Sequence, residues 1–217
     1  MKPLVSINIV SFNSEKFISR SIKSVLKQNF NRWEIIIVDN GSNDKTLQRV
    51  DSFSKINKKI KDFKLKKPNQ PKARNLAIKH SSADLIAVLD SDDECEKNRL
   101  EVQYKFMKDN KNINFLGSYT RVIDEKNNLL QQNKYPLDSN LIKFSFLFGN
   151  PIAHSTLMFR KKLDYLYDEK LKFSQDREML TRNINNNNYS NIPLPLVKFR
   201  VHKDQINKEK IKIQKIN

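Results

Sequence analysis

The sequence is short of cysteine, of glycine and of long apolar runs, and these shortages exclude several kinds of protein. Cys95 is its single cysteine, so an intramolecular disulfide is impossible and a reducing, cytoplasmic compartment is favoured. No apolar run approaches the roughly 20 residues that cross a bilayer. The first ten residues lack a small-residue cleavage site, so we interpret them as a first strand rather than a signal peptide.

Basic residues outnumber acidic ones by 41 to 24, which gives a formal net charge of +17. Such a charge favours phosphate-rich partners, namely nucleic acid, an anionic membrane surface or an anionic substrate. The lysines are dispersed, however, and the sequence has no arginine-rich patch interleaved with aromatic residues. We therefore expect no specific nucleic acid partner. Genomic base composition is an equal explanation of the charge.

Hydrophobic patterning predicts alternating strands and helices in the first half of the chain. The predicted strands cover residues 4–10, 34–38, 63–66 and 85–89, and the predicted helices cover 16–28, 44–56, 71–80 and 97–109. Asn13 or Ser14 is the expected N-cap of the first helix. The alternation implies a parallel sheet with right-handed crossovers. Beyond residue 110 we expect strands near 115–123 and 153–159, a turn at 126–128 and a helix at 139–148.

Three carboxylates follow the most apolar of these strands. Residues 85–89 are continuously apolar, as expected for a strand that is covered on both faces, and Asp90, Asp92 and Asp93 come directly after it. Ligands of open α/β sheets bind at this carboxyl edge. Crowded carboxylates repel one another unless a cation lies between them, so the pattern predicts a divalent metal that holds a diphosphate.

These motifs, taken in order, resemble those of family 2 glycosyltransferases of the GT-A fold. The resemblance runs from Pro3 to about Ile206 and is carried by PLVSINIVSFN, EIIIVDNGSNDKT, ARNLAI, LDSDD, HSTLMFR, QDREMLTR and FRVHKDQI. It implies an α/β fold with a Rossmann-like, mostly parallel central sheet flanked by helices, and a smaller acceptor-side half. It also implies inverting transfer of a sugar from a UDP-sugar to a hydroxyl acceptor, assisted by Mn²⁺ or Mg²⁺.

On the donor side, the resemblance assigns roles to four residues. Phe12 matches the position that contacts the base, with core packing as the alternative. Asp39 matches a carboxylate that accepts a hydrogen bond from the uracil imide, with helix capping as the alternative. Arg74 matches an arginine whose guanidinium bridges the pyrophosphate oxygens, unless it is solvated. Asp90 begins the DxD motif and is expected to contact the ribose or the metal.

The remaining matches concern the metal and the acceptor. Asp92 is the expected metal ligand, and His202 is a second one unless it makes a structural hydrogen bond. Asp93 is expected to support this site or to cap the helix that follows. His154 matches a histidine on the acceptor side, and Asp176 matches the general base, with a helix cap as a compatible role.

The chain departs from the family pattern in two places. Gln175 replaces the glutamate that usually precedes the base, which removes a negative neighbour that would raise the pKa of Asp176. The glycines usual before ARN and before the buried strand are replaced by Asn69–Pro71 and Ala83, so the backbone approaches the donor less closely there.

We therefore expect one GT-A domain over residues 1–217. It comprises a nucleotide-sugar-binding half (1–110), an acceptor and catalytic-base half (111–206) and a basic tail (207–217). A nucleotide-sugar and a glycan or glycolipid acceptor are the expected partners, at a cytoplasmic location that leaves open peripheral contact with an anionic membrane. The alternatives are a catalytically silent nucleotide- or partner-binding module and a basic nucleic-acid-binding protein. A nucleotidyltransferase is disfavoured because SFNSEK lacks a phosphate loop rich in glycine and arginine.

Overall fold

A computed structural model describes residues 2–182, 184–203 and 205. The strands are β1 (Val5–Ser11), β2 (Trp33–Asp39), β3 (Ile60–Lys64), β4 (Leu85–Val88), β5 (Glu94–Cys95), β6 (Phe115–Ile123), β7 (Leu129–Asn133), β8 (Met158–Arg160) and β9 (Tyr189–Arg200). The helices are α1 (Ile18–Leu26), α2 (Thr46–Ser54), α3 (Gln70–His80), α4 (Arg99–Asp109), α5 (Ser139–Ser145) and α6 (Gln175–Thr181). Short 3-10 helices occupy His154–Thr156, Leu163–Tyr165 and Ile184–Asn186.

The strands of the described residues form one sheet in the order β3-β2-β1-β4-β8-β6-β9-β5, and β7 pairs with β6. The neighbours from β3 to β4 are parallel. Beyond β4 the sheet is mixed, because β8 is antiparallel to both β4 and β6, whereas β9 is parallel to β6. The sheet therefore continues without a break from the predicted donor half into the predicted acceptor half. The predicted tail, 207–217, lies outside the described residues.

Helices cover both faces of the parallel strands. Ile35 and Ile37 of β2 pack in a cluster that includes residues of α1, α2 and α4, whereas Ile36 and Val38 face Ala73 and Ala77 of α3. Alternate side chains of a strand point to opposite faces of the sheet, so only a continuously apolar strand suits this position. The predicted α/β layering is confirmed.

Several local predictions were wrong. Neither Asn13 nor Ser14 caps α1, because that helix begins at Ile18 and its N-cap, Phe17, makes no side-chain capping bond. Asn13 instead adopts a positive φ of 48°. Only residues 158–159 of the strand expected at 153–159 lie in a strand, since a 3-10 helix occupies His154–Thr156. The strands β5, β7 and β9 were not predicted.

No helix in the described part of the chain has the length and apolar content that a bilayer span requires.

Candidate active site

A cleft of about 650 Å³ opens at the carboxyl edge of the parallel strands, between the two halves of the sheet. Its lining includes all but one of the residues predicted for the site: Phe12, Arg74, Asp90, Asp92, His154, Asp176 and His202. Phe12 is 44% exposed, so the alternative that it packs in the core is wrong. Residues more than a hundred positions apart in sequence thus line the same cleft.

Asp39 is the predicted residue that does not line this cleft. Its carboxylate is buried and accepts hydrogen bonds from the backbone N–H groups of Gly41 (3.2 Å) and Ser42 (2.9 Å) and from the Ser42 hydroxyl (2.5 Å). Ser11 Oγ donates a longer bond of 3.4 Å to the same group. The structure therefore places Asp39 inside the turn that follows β2. Its contact with a base stays a prediction that this geometry does not support.

Asp92 and His202 meet in the cleft, although 110 residues separate them. Asp92 Oδ2 lies 2.9 Å from His202 Nε2, and Gln205 Nε2 donates to the same oxygen at 3.4 Å. The imidazole packs against Phe17 with ring centroids 4.7 Å apart. Its Nδ1 is buried without a hydrogen-bond partner among the described residues. The side chain is therefore fixed by Asp92 and by packing.

Asp90 belongs to a network that reaches the second half of the chain. Its Oδ1 lies 3.2 Å from His154 Nδ1, and His154 Nε2 lies 2.9 Å from the hydroxyl of Tyr167. Burial acts to raise the pKa of Asp90, but the nearby His154 and Arg74 outweigh it and hold that pKa below its usual value. Asp90 is thus an ionised carboxylate at neutral pH, and the imidazole is oriented at both nitrogens.

Arg74 extends from α3 towards the first turn of α6. Its Nη1 donates a 3.0 Å hydrogen bond to Gln175 Oε1, and its guanidinium carbon lies 5.1 Å from the centre of the Tyr167 ring. Gln175 is buried, and its amide nitrogen donates to the carbonyls of Leu171 and Lys172. A neutral amide therefore holds the guanidinium without neutralising its charge. The alternative that Arg74 is merely solvated is wrong.

Asp176 lies in the first turn of α6, where the helix dipole favours a carboxylate. Asn150 Nδ2 donates a 2.7 Å hydrogen bond to its Oδ2. Ser174, the N-cap of α6, adopts a left-handed φ of 53°, which turns the chain into the helix. Asp176 thus lines the same cleft as Asp90 and Asp92, and Asn150 fixes one of its carboxylate oxygens.

Arg200 and Asp93 form a buried layer behind Asp92. The Arg200 backbone N–H donates to Asp93 Oδ1 at 2.8 Å, and its Nε donates to the Asp92 carbonyl at 2.9 Å. Burial, together with the neighbouring carboxylates Asp92 and Asp90, raises the pKa of Asp93 well above its usual range. The alternative that Asp93 caps the next helix is wrong, because the N-cap of α4 is Asn98.

The donor set suits a divalent cation that also binds a phosphate-bearing ligand. No group of three or more histidine, cysteine, aspartate or glutamate side chains in the described residues is arranged to hold a metal by itself. Asp92 and His202 bring a carboxylate and an imidazole together at the cleft, where Asp92 Oδ2 and His202 Nε2 now contact each other. Mg²⁺ sites commonly use only one or two protein carboxylates and complete their shell with substrate phosphates and water. The residues present therefore fit such a cation.

Sequence reasoning missed four residues that organise this site, namely Asn150, Tyr167, Arg200 and Gln205. Arg200 and Gln205 lie within the FRVHKDQI motif, so the motif itself was the available signal. Asn150 and Tyr167 carry no signal in the sequence, because their roles arise only from contacts made after folding.

Comparison with known proteins agrees with this architecture. The family model described as "Glycosyl transferase family 2" matches residues 6–167, which is well over half of the chain. The chain belongs to glycosyl transferase family 2. An uncharacterized glycosyltransferase of Methanocaldococcus jannaschii is 33% identical over 224 residues, covering 99% of this chain and 77% of its own.

Two further matches have names that state a donor or a bound ligand. The Escherichia coli UDP-Glc:alpha-D-GlcNAc-diphosphoundecaprenol beta-1,3-glucosyltransferase WfgD is 44% identical over 117 residues, covering 54% of this chain and 46% of WfgD. The crystal structure of S. aureus TarS 1–349 in complex with UDP-GlcNAc superposes with a TM-score of 0.77 at 24% identity, over 94% of this chain. This chain spans 60% of that TarS chain. The structural match confirms the predicted GT-A fold.

Proposed function

We propose that this chain is a metal-dependent, inverting glycosyltransferase that moves a sugar from a UDP-sugar to a hydroxyl of a cell-surface polysaccharide or glycolipid precursor, at the cytoplasmic face of the membrane. One observation carries the proposal. A single cleft of about 650 Å³ is lined by the strand-end carboxylates Asp90 and Asp92, by Arg74 and by Asp176. Arg74 and the strand-end carboxylates supply the groups that bind a diphosphate donor, and Asp176 supplies the group that accepts a proton.

The donor side rests on a charged group and an aromatic ring. The Arg74 guanidinium can form a fork of parallel hydrogen bonds to diphosphate oxygens, and Gln175 holds it in place at 3.0 Å. The partly exposed ring of Phe12 offers an apolar face to a pyrimidine. UDP is favoured as the nucleotide because the name of WfgD specifies UDP-Glc and the TarS complex contains UDP-GlcNAc.

Asp92 and His202 are the residues that would hold Mn²⁺ or Mg²⁺. A cation bound there would offset the negative charge that develops on the departing diphosphate. Arg200 fixes the backbone of Asp92 through its carbonyl, and His154 orients Asp90. These contacts hold the Asp92 backbone and the Asp90 carboxylate in place before any ligand arrives, which lowers the cost of ordering the site.

Asp176 is the proposed general base. Its carboxylate accepts the proton of the acceptor hydroxyl while the acceptor oxygen bonds to the anomeric carbon and the bond from that carbon to UDP breaks. A single displacement of this kind inverts the anomeric configuration. Asn150 fixes one carboxylate oxygen, and the residue before the base, Gln175, carries no charge.

Calorimetry of nucleotide binding tests the donor site. We expect the intact protein to bind UDP in the presence of Mn²⁺, more tightly than GDP, dTDP or CMP, and we expect Asp92→Asn to lose the Mn²⁺-dependent part. Asp176→Asn is the matched control, since it should keep UDP binding and lose transfer by at least about a hundredfold. Transfer that survives in Asp176→Asn would remove the assigned base. UDP binding without turnover of any UDP-sugar would favour the silent module.

A further inference from the structure

Helix α5 and the residues after it expose an unusual amount of apolar surface. Leu141, Phe144, Leu147 and Phe148 are between 51% and 79% exposed, and we call these four side chains the α5 apolar face. Phe144 and Phe148 contact each other with ring centroids 5.4 Å apart. On the other side of the same segment, Ile142 and Phe146 are buried in the core. Because one side of this segment packs in the core and the other side is apolar but exposed, the exposed side is available to bind a partner.

The α5 apolar face adjoins the acceptor side of the cleft. Arg177, the residue after the proposed base, donates a 2.5 Å hydrogen bond to the carbonyl of Phe146. Asn150, shortly after the exposed segment, donates to Asp176 itself. The surface is thus joined through two hydrogen bonds to the helix that carries the base. A partner that covers the α5 apolar face would lie next to the incoming acceptor.

The charge of the molecule indicates what kind of partner this is. The chain carries a net charge of +17, and Lys143 and Arg177 lie in α5 and α6 beside the apolar face. Exposed leucine and phenylalanine flanked by basic residues are typical of helices that lie in the interface of an anionic membrane. A second copy of this chain would bring like charges together, which disfavours self-association.

We propose that the α5 apolar face docks the protein on an anionic lipid bilayer. The choice of a bilayer over a protein partner rests in part on the proposed function, because an acceptor such as the diphosphoundecaprenol-linked sugar in the name of WfgD is anchored in a membrane. Docking through α5 places the mouth of the cleft next to the headgroup layer, where the sugar of a lipid-linked acceptor is located.

Vesicle sedimentation of the full chain tests this surface. The probes are vesicles of phosphatidylcholine with phosphatidylglycerol and vesicles of phosphatidylcholine alone. We expect the protein to bind the anionic vesicles, with a partition coefficient that falls at least about tenfold in the Phe144→Ser/Phe148→Ser variant. In Leu147→Ser the partition coefficient should fall by a smaller factor. The matched control is Ile56→Ser, which removes an 81% exposed side chain just after α2 and should bind as the unmodified chain does.

Three results would overturn the proposal. The first is unchanged vesicle binding by the double variant, and the second is loss of binding only when Ile211→Ser and Ile213→Ser are introduced in the tail. The third is a dimer of the unmodified chain that dissociates in the double variant, measured by sedimentation velocity without vesicles. UDP calorimetry on the same samples separates the two proposals. Vesicle binding without UDP binding refutes the proposed glycosyltransferase function and leaves the docking proposal standing. UDP binding without vesicle binding refutes the docking proposal alone.

Discussion

Replacing Arg200 by methionine should both destabilise the fold and weaken the metal site. The Arg200 side chain is fully buried. It donates to the carbonyls of Asp92 and Asp124 at 2.9 Å, to Asn127 Oδ1 at 2.6 Å and to Glu94 Oε1 at 2.5 Å. Methionine fills a similar volume but donates no hydrogen bond, so all four acceptors lose this partner together.

The cost can be estimated from the ion pair with Glu94. Removing one partner of a buried ion pair typically costs about 3–5 kcal/mol, because the other charge is left uncompensated. The side chain of Glu94 retains 16% exposure, so water relieves part of that penalty and we expect about 3 kcal/mol. Against a total stability of about 5–15 kcal/mol for a typical domain, this loss is large but leaves the chain folded.

Urea unfolding of a double-mutant cycle measures this effect. Arg200→Met should lower the free energy of unfolding by about 3 kcal/mol, and adding Glu94→Gln should restore part of the loss because no unpaired charge remains. The matched control is Arg182→Met, which breaks the exposed pair with Glu178 (2.5 Å) and should cost less than about 1 kcal/mol. A loss in Arg200→Met no larger than that in Arg182→Met would refute the reasoning. The Mn²⁺-dependent affinity for UDP should fall in Arg200→Met alone.

Two further predictions concern stability in acid and the contact between Arg74 and Gln175. Burial acts to raise the pKa of Glu34, but hydrogen bonds from Lys61 and from nearby serines lower that pKa from its usual 4.5 to about 2. Its contribution of about 3 kcal/mol is therefore present above pH 4.5 and lost as the pH falls towards 2, and thermal unfolding of Glu34→Gln should show the same loss at neutral pH and a smaller difference in acid. Gln175→Glu should pair with Arg74 and weaken UDP binding by about 2 kcal/mol, because the new carboxylate would compete for the charge-assisted hydrogen bonds that the guanidinium offers a diphosphate. Calorimetry of UDP binding to this variant measures the effect, and unchanged UDP affinity would contradict the role proposed for Arg74.

The parallel half of the fold was predictable because its central strands are rich in apolar residues. The segments of β1, β2 and β4 are buried almost throughout. Few structures other than a buried strand fit short apolar segments of that kind. β7 and β9 lack this signal. β7 reads LLQQN and is mostly exposed, whereas β9 contains two prolines and changes its register with β6 where they occur. Their pairing depends on partners that a local pattern does not identify.

The position of the site was predictable for a related reason, since parallel strands end at a common edge. The order of the strands then brings the ends of β1 and β4 together, with Phe12 and Asp90 at the same opening. The direction of each side chain was not predictable. The position of Asp92 depends on contacts with His202, Gln205 and Arg200. All three lie more than a hundred residues away from it in sequence.

Asp39 shows how a residue at the expected edge can act on the site without lining it. Its carboxylate binds the turn at Gly41 and Ser42, where Gly41 adopts a φ of 83° that glycine permits at no steric cost. Ser42 Oγ in turn accepts a 2.9 Å hydrogen bond from the backbone of Asn13, and Asn13 Oδ1 accepts one of 3.0 Å from the backbone of Asn43. Two adjacent loops are thereby bound together next to Phe12. The strand-end carboxylate therefore fixes the loop that presents the aromatic ring to the cleft.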